Sequence, residues 1–148
     1  MLTRDFTVAI FVVWQKQVLL HTHPKLGLVL PPGGHIEKNE LPDEAAIRET
    51  LEETGLGIKL MGELAPYSPE QGAPVPLIRP RGIQLEQINS GHEHIDLIYL
   101  ARPLEPFAGA VLEPFYWANT LSLQSLPISL EVRQWCELAL KELSSSDT

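Results

Sequence analysis

Residues 33–56 read GGHIEKNELPDEAAIRETLEETGL, a short stretch crowded with carboxylates between glycines. On a helix with about 100° per residue, Glu49, Glu52 and Glu53 fall within one arc as i, i+3 and i+4 neighbours. Like charges at such spacings cost about 0.2–0.5 kcal/mol per pair on an exposed helix. Arg48 stands four residues before Glu52 and relieves one of them; the others call for a counter-ion. Three clustered hard oxygen ligands suit Mg²⁺ or Mn²⁺ better than zinc. Most glutamate-rich helices are solvated faces, and the Glu52-Glu53 pair alone would be read that way. The preceding Pro32-Gly33-Gly34 changes that reading, because glycine lets the backbone turn tightly and approach a ligand or metal closely. Glu40 adds a carboxylate at the end of the following loop. In this arrangement Ile47, Leu51 and Thr54 lie opposite the acidic arc and are expected to face the core, with Ala45 and Ala46 flanking it.

The fixed positions Gly34, Glu40, Arg48, Glu49, Glu52, Glu53 and Gly55, followed by Leu56, resemble the Nudix box, G-x5-E-x7-R-E-U-x-E-E-x-G-U, where U is aliphatic. One U position departs, holding Thr50. The resemblance implies a Nudix-type α/β/α sandwich with a mixed β-sheet. It implies that Glu49, Glu52 and Glu53 bind a divalent metal, Mg²⁺ or Mn²⁺, with the Gly34 carbonyl as a further ligand. It gives Arg48 the role of orienting the glutamates and Glu40 a place at the fringe, holding the loop or a metal-bound water. The implied reaction is hydrolysis of a diphosphate linkage in a nucleoside diphosphate joined to another moiety. Metal ions would neutralise the diphosphate and lower the pKa of bound water, and a carboxylate would take the proton. The candidate bases are Glu52 and Glu53 in the box and Glu93 and Glu113 outside it. A non-catalytic nucleotide- or metabolite-binding regulator on the same fold is the alternative; such a protein would be expected to lose box glutamates, and none is lost.

Arg79, Arg81 and Lys25 are the cations that could hold a phosphate, with residues 65–93 as the expected recognition wall. Surface solvation is the commoner fate of such residues. His21/His23 and His92/His94 are two His-x-His pairs, each sharing a face if on a strand. Together they could imitate a four-histidine metal site, but no closing spacing supports one, and histidines near a polar cleft are the plainer reading. Tyr67, Phe115, Tyr116 and Trp117 could stack on a base, though strand alternation puts most of the last three in the core. Cys136, on an apolar helix face, reads as packing rather than a nucleophile.

These groups need elements to position them. Residues 6–14 and 17–23 are β-branched and apolar around Gln15-Lys16, which suggests a hairpin. Residues 26–32 read as a short strand, 42–54 as the acidic helix with Pro42 at its first position and Gly55 as its stop, and 57–64 as a strand. Leu41 is a poor N-cap, so another group must satisfy the first amides. Proline breaks up 65–93, with a strand suggested at 78–86. Residues 94–101 form a strong strand, 112–118 a weaker one, and 129–143 an amphipathic helix with Val132, Trp135, Cys136, Ala139 and Leu143 on one face and Ser129 as cap.

The 148 residues carry a formal net charge of −8, and hydrophobic residues make up 44% of them. This size suits one domain, read here as 1–144 with 145–148 as a disordered tail. The acidic balance recruits neither nucleic acid nor an anionic membrane surface. The single cysteine excludes an intrachain disulfide and fits a reducing compartment. The apolar run at 8–14 is too short to span a membrane. A cytoplasmic protein with a small-molecule nucleoside diphosphate derivative as partner is expected, and a homodimer is an assembly open to it.

Overall fold

The computed structural model describes residues 1–144, so the expected disordered tail lies outside the described residues. In chain order the elements are β1 (Thr3–Trp14), β2 (Gln17–Thr22), β3 (Val29–Leu30), β4 (Gly33–His35), α1 (Pro42–Thr54), β5 (Ile58–Met61), β6 (Gly82–Asn89), β7 (His92–Pro103), β8 (Tyr116–Ala118), α2 (Thr120–Ser125) and α3 (Leu130–Ser144). The strands form one mixed sheet of eight strands, ordered β3-β2-β1-β7-β5 along its main path; β4 pairs with β1, β6 with β7 and β8 with β2. Its centre is the parallel pairing of β1 with β7, from Thr3 opposite His92 to Val12 opposite Ala101.

The alternation of β1 and β7 explains why both sheet faces are covered. Phe11 and Val13 of β1, with Ile98 and Leu100 of β7, pack against Val132, Cys136, Ala139 and Leu143 of α3. Val8, Ile10 and Val12, with Tyr99 and Ala101, pack on the other face against Ala45 and Ala46 of α1. Successive strand side chains point to opposite faces, so two continuous apolar strands at the sheet centre require a helix layer on each side. The expected α/β/α sandwich is what forms. No helix among the described residues is long and apolar enough to cross a membrane.

The local signals act as their chemistry dictates. Gln15 and Lys16 both take positive φ, 48° and 60°, in the β1–β2 turn, the two-residue geometry that matches strand twist. Gly55 closes α1 in the left-handed conformation at φ 75°, with its N–H on the Leu51 carbonyl. At the other end the Leu41 N–H donates to the Glu44 carboxylate at 3.1 Å, supplying what the Leu41 side chain cannot. Asp43 accepts from the Ile78 N–H at 3.0 Å and the Tyr99 hydroxyl at 3.3 Å, tying the proline-rich loop to helix and sheet. Ser129 caps α3 through the Val132 N–H.

The structure departs from the expected elements most at four places. The strand expected over 26–32 shrinks to Val29–Leu30, and the Gly-Gly-His segment after it becomes β4, which pairs with Thr7–Ala9 of β1. The suggested strand at 78–86 is displaced to Gly82–Asn89, and it makes a hairpin with a β7 that begins two residues before the expected strand. The short helix α2, capped by the Asn119 side chain on the Ser122 N–H, was not expected. Most consequential, Ile47 and Leu51 are 41% and 51% exposed, while Ala45, Ala46, Thr50 and Thr54 are buried. The inward face of α1 is therefore built of small side chains. The buried Thr50 hydroxyl is satisfied by the Ala46 carbonyl at 2.8 Å, so an unaliphatic residue costs little at this position.

This rotation is testable by urea denaturation. Ala46→Leu should overpack the interface and destabilise the fold by about 1–3 kcal/mol. Leu51→Gln should stay within about 0.5 kcal/mol of wild type; the reverse order would restore the face expected from periodicity.

Candidate active site

Because α1 presents small residues to the sheet, its acidic arc comes in beside β4 rather than facing away from the core. The Glu53 carboxylate accepts from the Gly33 N–H at 3.3 Å. A Cβ on Gly34 would lie 2.5–2.7 Å from the atoms of the Glu49 carboxylate, so only glycine fits there without displacing that group. At Gly33 a Cβ would meet the Val8 carbonyl oxygen at 2.3 Å, a backbone atom that cannot step aside. The two glycines thus do different work: the first lets β4 pair, and the second admits Glu49.

Arg48 gathers the remaining charges. Its guanidinium donates to Glu40 at 2.6 and 2.9 Å, to Glu49 at 2.9 Å, to Glu52 at 3.2 Å and to the His35 carbonyl at 3.1 Å. Glu40 also accepts from the Glu37 N–H, so the loop between β4 and α1 is closed by Arg48 and Glu40 together. Arg48 holds the Glu40 carboxyl below the usual carboxylate range, chiefly through their hydrogen bonds. Glu52 is turned outward, its side chain 60% exposed against 16% for Glu49. Among the described residues no cation pairs with Glu53. Burial first, then Glu49 and Glu52, push its carboxyl up to about 7, against the opposing bond from Gly33. A half-buried carboxylate beside another, with no cation on it, is a donor set that fits a hard divalent ion. Glu49 and Glu53 are the residues placed to hold one.

Glu53 also borders a cleft of about 350 Å³ on the α3 side of the sheet, lined by Gly33, Gly34, His21, His23, Gln84, Glu86, His94, Asp96 and Glu131. Asp96 is buried and accepts from the Thr7 hydroxyl at 2.5 Å and the Gln84 amide at 3.3 Å. Gln84 in turn accepts from the Trp135 indole at 3.0 Å. Partial burial, Asp96 and Glu131 raise the Glu86 carboxyl above its ordinary range. Gln84, Glu86 and Glu131 were not singled out from sequence. Their signal lies in strand parity against Asp96, which becomes readable once β6 is known to pair with β7.

The other candidate residues lie elsewhere. Glu93 is in β7 and pairs with Arg4 at 2.8 Å, on the face opposite Asp96. Glu113 is exposed in the loop whose Leu112 N–H bonds the Thr54 carbonyl at the end of α1. Arg81 is held by Glu142 of α3 at 2.7 Å, and Arg79 lies 3.8 Å from Glu63; both line a separate cavity. Lys25 is exposed in the β2–β3 loop. His21 packs on Phe115 with ring centroids 4.6 Å apart, and the His23 ring accepts from the Lys25 and Leu26 amides. Trp117 packs with Trp14, and Tyr67 bonds the Pro74 carbonyl within its own loop. Cys136 is fully buried, and that burial pushes its thiol up to about 12, which leaves no thiolate at neutral pH.

The two glycines should separate stability from ion binding. Gly33→Ala is expected to lower stability by about 1–3 kcal/mol, read by thermal or urea melts. Gly34→Ala should keep the fold but weaken Mn²⁺ binding, read by titration calorimetry, because the Glu49 carboxylate must move.

Comparison with known proteins agrees with this geometry. The NUDIX domain model matches residues 3–114. A probable DHNTP pyrophosphohydrolase of Lactococcus lactis subsp. cremoris (strain MG1363) is 33% identical over 105 residues, which cover 71% of this chain and 56% of that protein. The chain thus spans little more than half the length of that curated relative. The crystal structure of a NUDIX-family hydrolase from Clostridium perfringens superposes with a TM-score of 0.79 at 33% identity, covering 96% of this chain and 99% of the other. The NUDIX domain of Shewanella oneidensis NrtR, solved with ADP ribose, shares the fold at a TM-score of 0.61 and 19% identity, over 97% of this chain and 90% of that one. With three quarters of its length matched by the family model and the box glutamates standing against its two glycines, the chain belongs to the NUDIX family.

Proposed function

We propose that this protein is a divalent-metal-dependent pyrophosphohydrolase that cleaves a diphosphate linkage in a nucleotide-like substrate. The observation that carries the reading is Glu53: half-buried, hydrogen-bonded to Gly33, lifted to about 7, and open to the cleft. A half-buried carboxylate with no cation beside it gains most from a divalent ion. Glu49 and Glu53 hold the ion, with the Gly34 carbonyl as a further donor and Glu52 at the outer edge. When bound, Mg²⁺ or Mn²⁺ neutralises the diphosphate and acidifies water. Arg48 fixes Glu49 and, through Glu40, the loop that carries the glycines.

The cleft is the natural seat of the organic group. Its polar lining combines the Asp96, Glu86 and Glu131 carboxylates and the Gln84 amide with His21, His23, His35 and His94. The carboxylates can accept the N–H edge of a heterocycle, and the phosphates belong at the Glu53 end, where the metal ligands stand. The name of the Lactococcus relative makes DHNTP the first compound to try. A phosphate- or pyrophosphate-release screen over DHNTP, nucleoside triphosphates, nucleotide sugars and ADP-ribose, with Mg²⁺ or Mn²⁺ and an EDTA control, tests the reading. Turnover that persists unchanged in EDTA overturns it.

Two outcomes follow for the best substrate. Glu53→Gln should lower kcat by on the order of 100-fold or more while the protein stays folded. Glu93→Gln and Glu113→Gln should remain within a few-fold, and a larger loss at either would move the base out of the box. The second concerns pH. A proton and a metal ion compete for Glu53, whose carboxyl is lifted to about 7 in the metal-free protein. Metal affinity should be constant above that value and fall by up to about ten-fold per pH unit below it. Calorimetric titration with Mn²⁺ at several pH values measures this, and Glu53→Gln should flatten the profile in that window.

A further inference from the structure

The parallel register of β1 and β7 assembles a second donor cluster that uses none of the box glutamates. Asp5 stands opposite His94 in that register, and His35 pairs with Thr7 from the other side of β1. One Asp5 carboxylate oxygen, Oδ2, lies 3.2 Å from His35 Nε2 and 3.2 Å from His92 Nε2. The His94 ring is 5.0 Å, centroid to centroid, from both the His35 and the His92 rings. Ligand atoms of Asp5, His92 and His94 all lie within 4.8 Å of one another.

Two features distinguish this cluster from a chance meeting of surface side chains. The first is spacing. Donors about 2.0–2.1 Å from a tetrahedral ion are about 3.3 Å apart, and Asp5 Oδ2 and His92 Nε2 are 3.2 Å apart. The second is the state of His92. Its Nδ1 lies 2.8 Å from the Thr3 hydroxyl oxygen, and that hydroxyl donates to the Gly91 carbonyl at 3.3 Å. Thr3 is thereby left to accept from Nδ1–H. With Nδ1–H on Thr3, Nε2 faces the Asp5 carboxylate, an arrangement that either a proton or a metal ion at Nε2 satisfies. A hydrogen bond to the outer nitrogen is also how ligating histidines are oriented in metal sites.

We propose that Asp5, His92 and His94 form a three-ligand site for a borderline divalent transition ion such as Zn²⁺, with water in the fourth position, separate from the hard-ion site at Glu49 and Glu53. Imidazole nitrogens select such ions over Mg²⁺. His94 also lines the cleft, so an ion held there adds positive charge beside Glu86 and Asp96. His21 and His23 take no part, being committed to Phe115 and to the β2–β3 loop.

Co²⁺ added to the metal-free protein in excess Mg²⁺ tests the site, because four-coordinate Co²⁺ absorbs far more strongly in the visible than the octahedral ion. One Co²⁺ per chain with the four-coordinate spectrum is expected. The spectrum should persist in Glu53→Gln and vanish in the double variant His92→Ala/His94→Ala. Thr3→Val should weaken binding by about 10–100-fold. If the double variant does not fold, Asp5→Ala, at a side chain 47% exposed, should abolish or distort the same spectrum. An octahedral spectrum in the wild type, or a signal lost in Glu53→Gln but kept in the histidine variants, overturns the proposal.

Discussion

The parallel pairing of β1 with β7 joins ten residue pairs, from Thr3–His92 to Val12–Ala101, between segments nearly ninety residues apart in the chain. Both hydrophobic layers grow from it, since the two strands alternate between the α1 and α3 faces. Polar residues obey the same alternation. Thr7 and Asp96 are register partners and bond to each other on the α3 face, at the floor of the cleft. The histidine cluster lies on the same face, toward the beginning of both strands. A one-residue slip would move every one of these groups to the opposite face, so the core and the cleft are fixed by a single register.

Electrostatics is the second constraint. A chain of net charge −8 places carboxylates against one another on α1. Arg48 settles part of this by drawing Glu40, Glu49 and Glu52 together. It leaves Glu53 unpaired, and partial burial then raises that carboxyl. The carboxylate whose charge the fold stabilises least is the one with most to gain from a divalent ion. Glu49 can approach β4 only because glycine occupies 34, and β4 can pair with β1 only because glycine occupies 33. The sequence neighbours of the box are therefore as necessary as its acids.

The cleft and the box meet at Glu53 but come from different levels of organisation. The box is local: a turn, a loop and a helix contiguous in sequence. The cleft draws on β1, β2, β6, β7 and the start of α3, and its acceptor groups are brought together only by sheet pairing. The box and the cleft therefore answer to different constraints, one to local backbone geometry and the other to strand register.

The spacing of Gly34, Arg48, Glu49, Glu52 and Glu53 was legible from sequence because a helix converts spacing directly into angle. The β1–β2 turn, the Gly55 stop and the inward face of α3 were legible for the same local reason. The orientation of α1 was not: Ile47 and Leu51 have the hydrophobicity of a core face, yet the close approach of the helix to the sheet admits only alanine and threonine. Nor was the fate of the isolated charges. Arg81 looked free for a phosphate, but β6 brings it to Glu142 of α3. Glu93 looked available as a base, but β1 brings it Arg4. His92 looked like a strand histidine near a polar cleft, and strand register brings it Asp5. Sequence determines what lies within a few residues along one element, where backbone geometry sets direction. Which distant side chain meets which is decided by strand register and helix rotation, and those follow from how the whole core packs.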